Sequence, residues 1–255
     1  TSYISGTVHG PHAIIDASVQ VDLFDFDVED AWKIKIGSTE LKLIEKNGRL
    51  RAVAEEIIAF LETGGSISNK KVTKLLAQIN QASEDVNNQV YNQAKQALDR
   101  GKVAAVIGGE HSFPFGLIKA VSEKYPDTGI LHIDAHADLR EAYEGFTYSH
   151  ASIMYNVIHQ LEGISKLVQV GIRDLSGDEM QLATDNRKIT MFNDYNLKEA
   201  EFNGKNWAEQ CNEIISHLPQ NVYISFDIDG LSPEYCPSTG TPVPGGLSFN
   251  QAIYL

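Results

Sequence analysis

The sequence predicts an α/β fold of three layers, α/β/α, around a mainly parallel central sheet. Two observations carry that reading: five short, continuous apolar runs rich in β-branched residues, and amphipathic stretches of helical period between them. A run without polar alternation fits a strand covered on both faces. A helix between two such strands is the crossover that parallel pairing requires.

The strand runs lie at 102–109 (KVAAVIGG), 129–136 (GILHIDAH), 166–173 (KLVQVGIR), 188–193 (KITMFN) and 222–229 (VYISFDID). Helical periods cover 49–62, 83–100, 113–125, 149–161 and 207–218. Within 83–100, Val86, Val90, Tyr91, Ala94, Ala97 and Leu98 trace one apolar stripe, and Gly101 stands at the C-cap position. Ser176 with Glu179, and Ser248 with Gln251, have the spacing of capping boxes and open two further helices. No repeat, low-complexity tract or Pro/Gly/Ser-rich linker divides the 255 residues, so one domain over 1–255 is expected.

Composition bounds the partners. Lys+Arg number 21 against 34 Asp+Glu, a net charge of -13 that repels nucleic acid and anionic lipid. Cys211 and Cys236 make no disulfide framework and suit a reducing compartment. Without an apolar run of transmembrane length or a signal peptide, a cytoplasmic chain with no membrane partner is expected.

Ligands of open α/β sheets bind beyond the carboxyl ends of the strands. Three runs here end in metal-ligand types: Gly108-Gly109-Glu110-His111-Ser112, Asp134-Ala135-His136-Ala137-Asp138 and Ser225-Phe226-Asp227-Ile228-Asp229. Alternation lets Asp134, His136 and Asp138 converge, and likewise Asp227 and Asp229. Four crowded carboxylates repel one another unless cations lie between them, and two divalent ions balance their charge. Carboxylates with imidazoles and no thiolate favour Mn(II), with Fe, Co, Ni or Zn also compatible. Paired ions about 3.5–4 Å apart lower the pKa of a shared water, which points to hydrolysis.

The segments GGEHS (108–112), DAHAD (134–138) and SFDIDGLSPEYCPSTGTPVPGG (225–246) resemble the three signatures of the ureohydrolase family, the arginases and agmatinases. GTVHGPHAI (6–14), YSHAS (148–152) and VGIRD (170–174) match in the same order, so the resemblance covers essentially the whole chain. It implies an arginase-like fold. It implies one Mn(II) held by His111, Asp134, Asp138 and Asp227, and a second held by Asp134, His136, Asp227 and Asp229. The implied chemistry is attack on a guanidinium carbon, giving urea and an amine, with Asp138 carrying a proton to the leaving nitrogen and His150 exchanging protons with solvent. Thr241, Gly245 and Gly246 resemble the loop that closes over the guanidinium. A trimer or hexamer is implied in the same way.

The substrate side departs from arginases. The loop after DAHAD reads Leu139-Arg140-Glu141-Ala142-Tyr143, and Ser176 stands where an ammonium-binding acid is expected. The wording resembles the agmatinase branch, so agmatine cleaved to putrescine and urea is the expected reaction. Glu141, Glu144 or Asp174 would attract its distal amine, and the alternative for Asp174 is structural pairing with Arg173. Arginase or guanidinobutyrase activity is the alternative within the class, and a metal-binding but catalytically silent scaffold is the alternative outside it. The amine deacetylases share the fold, but His111 and Asp229 exceed their single-metal set. Ser232 replaces the family's usual acid.

His132 shares the alternation of Asp134 and His136 but lies a pleat deeper, so a satisfied core histidine is expected there rather than a ligand. Cys236 is expected to be inert. The chain begins at Thr1 without methionine and stops at Leu255. By resemblance, a strand before the first point and a strand with a guanidinium-binding glutamate beyond the second are expected, so 1–255 reads as a single domain lacking terminal segments.

Overall fold

Four of the five apolar runs become neighbouring strands of one sheet. The computed structural model describes residues 6–41 and 44–255. Its elements are α1 (Gly10–Ser18), α2 (Ile44–Glu62), α3 (Lys70–Asp99), α4 (Phe115–Lys124), β1 (Thr128–Ile133), α5 (Ile153–Gln160), β2 (Ile164–Ile172), α6 (Gly177–Asp185), β3 (Ile189–Asn193), α7 (Asp194–Phe202), α8 (Trp207–Ser216), β4 (Asn221–Phe226) and α9 (Phe249–Tyr254). The strands run in the order β3-β2-β1-β4, and every pairing is parallel.

Alternation along β1 and β2 divides the core between the two faces. Ile130, Leu167 and Ile172 pack with Phe115 and Ile118 of α4 and with Ile153 and Val157 of α5. Leu131, Ile133, Val168 and Val170 pack on the other face with Leu197 of α7 and Ile214 of α8. Helices therefore cover both faces, the α/β/α arrangement read from the sequence. Both capping boxes are formed, at Ser176 and at Ser248. Gly101 adopts φ 69 just past the end of α3, the left-handed C-cap that glycine takes without steric cost.

Two expectations about the sheet need correction. Residues 102–109 join no strand among the described residues. Ala104 and Val106 rest on the core between α3 and α4, while Val103 is 97% exposed. A β-branched run selects extended backbone, but a strand also needs a neighbour about 4.8 Å away, and among the described residues β4 pairs only with β1. The run at 222–229 is also not buried on both faces. As an edge strand, β4 leaves Ile224 62% exposed.

Helix α3 begins well before the expected residue 83. Asn69 caps it, its side-chain oxygen accepting from the Lys71 and Val72 N–H groups. Val72, Leu76 and Ile79 bury its first turns against Ile57 of α2 and Phe146. No helix among the described residues is long and apolar enough to cross a membrane.

Helices α3 and α4 approach closely because Gly116 has no side chain. A Cβ there would lie 2.2 Å from the Asn87 carbonyl oxygen and 2.7 Å from the Tyr91 nitrogen, both backbone atoms that cannot swing aside. Gly116→Ala should therefore lower the unfolding free energy by about 1–3 kcal/mol, the usual range for overpacking. A urea titration measures it, and an unchanged midpoint would show that the helices separate freely.

Candidate metal centre

The site forms where β1 and β4, neighbours in the sheet, reach their carboxyl ends. One ladder bond continues past each strand: the Asp134 N–H donates to the Val170 carbonyl (3.2 Å) and the Asp227 N–H to the Ile133 carbonyl (2.9 Å). Asp134 and Asp227 are thereby held side by side. Asp227 then caps the short 3-10 turn Ile228–Gly230, its Oδ1 accepting from the Asp229 N–H at 3.1 Å. Asp229 turns back toward β1, where its Oδ1 accepts from the Ala135 N–H at 3.2 Å. Asp138 sits at φ 54, a left-handed conformation that a non-glycine residue seldom adopts. Its carbonyl accepts from Met154 and Tyr155 at the start of α5, both at 3.1 Å.

Two groups of donor atoms result. His111, His132, Asp134 and Asp138 form one, and Asp134, His136 and Asp229 the other, with atoms within 4.8 Å of one another in each. His111 Nδ1 lies 3.0 Å from Asp134 Oδ2, 3.0 Å from Asp138 Oδ2 and 3.5 Å from Asp227 Oδ2. It is buried yet aligned for a hydrogen bond to none of them, while Nε2 is tied to Ser225 Oγ at 2.9 Å. His136 Nδ1 lies 3.4 Å from both Asp134 Oδ1 and Asp229 Oδ2. A buried imidazole nitrogen facing convergent carboxylates without a hydrogen bond, as at His111 Nδ1, fits the donor set a divalent cation takes.

Where no cation is bound, protons offset this charge. Burial opposes ionisation of Asp134, yet His111, His132 and His136 hold it well below the usual carboxylate range. Burial and the Asp134 charge push both Asp138 and Asp227 up to about 7. Burial disfavours a charged ring at His111, but Asp134 and Asp138 override it and raise that group well above its ordinary value. At His136, Asp134 and Asp229 likewise overcome burial and push the imidazole up to about 11.

The remaining candidates are less closely gathered. His150 lies beside the first group, with Nδ1 3.7 Å from Glu110 Oε1 and its ring edge-on to Tyr143. Glu110 also accepts from Ser112 Oγ. The carboxyl group of Asp174 is 63% exposed and faces His136 Nε2 at 3.8 Å, while the Arg173 guanidinium turns to backbone carbonyls instead of pairing with it. Thr241 is exposed in its loop, and Glu141 is exposed as well. Gly246 is buried at φ 95, where a Cβ would lie 2.8 Å from the Gly230 carbonyl and 2.9 Å from the Arg173 guanidinium. Sequence reading passed over Glu110, Ser225 and Gln169. Ser225 and Gln169 were detectable only as polar residues at strand positions otherwise apolar.

Arg173 organises the loop behind the site. Its guanidinium donates to the carbonyl oxygens of Gly171, Asp229, Leu231 and Val243 at 2.7–3.2 Å. Arg173→Met leaves these acceptors short of a donor and should cost about 1–3 kcal/mol in urea unfolding. Arg173→Lys should recover only part of this, because an ammonium lacks the planar fork. A Met variant as stable as the parent would remove the clamp from the account.

The sequence profile of the arginase family matches residues 1–255. An N(1)-aminopropylagmatine ureohydrolase of Thermus thermophilus is 37% identical over 173 residues, 68% of this chain and 55% of that protein. An agmatinase of Bacillus anthracis is 35% identical over 157 residues, 61% of this chain and 50% of that one. The chain thus spans about half the length of these two curated relatives. The crystal structure of an agmatine ureohydrolase of Thermoplasma volcanium superposes with a TM-score of 0.69 at 25% identity, over 99% of this chain and 71% of that one. With the profile matched from end to end and the His/Asp groups gathered at the strand ends, the chain belongs to the arginase family, the ureohydrolases.

Proposed function

We propose that this chain is a dinuclear Mn(II) hydrolase that cleaves a guanidino group to urea and an amine, with agmatine, which gives putrescine, as its substrate. The observation that carries the reading is the buried His111 Nδ1, which has no hydrogen bond and lies within 3.5 Å of three carboxylates. One ion would be held by His111, Asp134, Asp138 and Asp227, and the other by Asp134, His136, Asp227 and Asp229. When bound, the pair supplies a hydroxide nucleophile at neutral pH. Asp138 carries a proton to the leaving nitrogen. His150, beside Glu110, exchanges protons with solvent. Thr241 contacts the guanidinium, Gly246 shapes the loop around it, and Asp174 attracts the distal amine. A homo-oligomer, trimer or hexamer, is proposed from the family relationship.

Three features support a cationic substrate without a carboxylate. The Ser176 hydroxyl is engaged in its helix cap, accepting from the Glu179 N–H. The Arg140 charge is neutralised by Glu179, 3.3 Å away, with its guanidinium stacked on Tyr143, so it offers little to a substrate carboxylate. Asp174 holds an exposed carboxylate beside His136. A second reading, N(1)-aminopropylagmatine, is favoured by the name of the Thermus relative.

Urea release by the Mn(II)-loaded, full-length natural chain from agmatine, N(1)-aminopropylagmatine, arginine and guanidinobutyrate tests the reaction. Agmatine should give the highest kcat/KM. Urea from arginine alone would overturn the substrate, and two bound metals without urea from any compound would establish a silent scaffold.

Metal uptake should be coupled to protons. Near pH 7 the metal-free chain holds protons on His111 and His136, while burial and the Asp134 charge raise Asp138 and Asp227 to about 7. Ligation needs all of them deprotonated, so Mn(II) binding should release roughly two or more protons, and affinity should rise with pH. Calorimetry in two buffers of different ionisation enthalpy reads this directly, and pH-independent binding would refute it. Asp227→Asn should lose metal, whereas full retention would rule out its bridging role.

A further inference from the structure

Behind Asp134 lies a buried chain of polar groups to which the proposed reaction gives no part. His132 on β1 and Gln169 on β2 are register partners, and both are fully buried. Gln169 Nε2 lies 2.7 Å from the Ala137 carbonyl and 3.0 Å from His132 Nδ1. His132 Nε2 lies 2.9 Å from Asp134 Oδ2. Ala137 itself stands between His136 and Asp138 in the segment that carries the proposed ligands.

The directions of these hydrogen bonds follow from one end. A backbone carbonyl only accepts, so the Gln169 amide nitrogen, not its oxygen, must face Ala137. The second hydrogen of that amide then points to His132 Nδ1, which has to offer a lone pair. The imidazole therefore carries its hydrogen on Nε2 and donates it to Asp134 Oδ2. With that nitrogen occupied, His132 has no lone pair for an ion, although it lies among the donor atoms of the first group.

Asp134 is the residue on which orientation matters most. Its Oδ2 faces His111 Nδ1 at 3.0 Å, while Oδ1 faces His136 Nδ1 at 3.4 Å and accepts from the His136 backbone N–H at 2.7 Å. Each oxygen thus serves a different donor group. Rotation of the carboxylate would disturb both.

We propose that His132 and Gln169 are positioning residues: the Ala137–Gln169–His132 chain fixes the Asp134 carboxylate so that one oxygen faces each metal position. This rests on the dinuclear reading above. It also ties the carboxylate to the backbone of the 134–138 segment, so that three proposed ligands are set by one buried amide.

Two measurements test it. In the metal-free chain, long-range proton–nitrogen NMR should find the His132 hydrogen on Nε2, and a hydrogen on Nδ1 would overturn the proposal. Mn(II) affinity, read from loss of the free-ion EPR signal, should fall about 10–100-fold in His132→Leu and in Gln169→Leu. His132→Gln places an amide donor near the same point and should stay within about threefold of the parent, a rescue that a purely packing role would not produce. Affinities of the Leu variants equal to the parent's, or a Gln variant as impaired as His132→Leu, would overturn the positioning role. If the Leu variants do not fold, the NMR tautomer and the affinity of His132→Gln decide in the same way. A parent chain that binds no Mn(II) would overturn the dinuclear reading, and the positioning role with it, whatever the tautomer.

Discussion

Asp134, Asp138, Asp227 and Asp229 are brought to the ends of two adjacent strands, where four negative charges in a partly dry pocket repel one another strongly. Much of the surrounding structure can be understood as a response to that crowding. Without bound ions the charge is offset by protons: His111 and His136 stay protonated, Asp138 and Asp227 are held up to about 7, and Asp134 is held well below the usual carboxylate range. A cluster neutralised in this way exchanges protons for cations on binding them.

Holding such a cluster open requires rigid surroundings, and the chain supplies them from elements remote in sequence. Arg173 gathers four carbonyl groups around the 229–243 loop. The buried Glu179 accepts from the Leu139 N–H, the Ser176 N–H and Arg140, so the capping box of α6 also clamps the segment that follows Asp138. The carbonyl of Asp138 meets the N-terminal N–H groups of α5, which have no partner inside the helix. Gly109 closes the arrangement on its other side, where any Cβ would lie 2.5 Å from the Thr7 carbonyl.

The same clamps shape the electrostatics facing a substrate. Arg140 would repel a cationic guest were its charge not spent on Glu179 and its guanidinium not stacked on Tyr143. Ser176 contributes to a helix end rather than to the pocket. Asp174 keeps an exposed carboxylate beside His136. The net charge of -13 acts in the same direction over longer distances and favours encounter with cationic molecules.

Parallel sheet, helices on both faces, capped helix starts and the His/Asp identity of the site were all legible in the sequence, because each depends on local periodicity or short motif spacing. The start of α3 was misplaced at residue 83, although Asn69 precedes Val72, Leu76 and Ile79 at helical spacing. Where contacts join distant segments, the sequence alone was silent. Residues 102–109 have strand composition, yet pairing depends on a neighbour that composition does not reveal. The identical β-branched character of β4 could not show that it would lie at an edge. Asp174 faces His136 rather than Arg173 because parallel β1 and β2 leave their ends level, a matter of register. His132 could be read as a core histidine from its depth in β1, but its partner Gln169 lies on another strand. The sequence by itself determined which chemical groups this protein carries and the period on which it presents them. Only the tertiary structure decided which of them meet, because register and strand order are set by packing summed over the whole core.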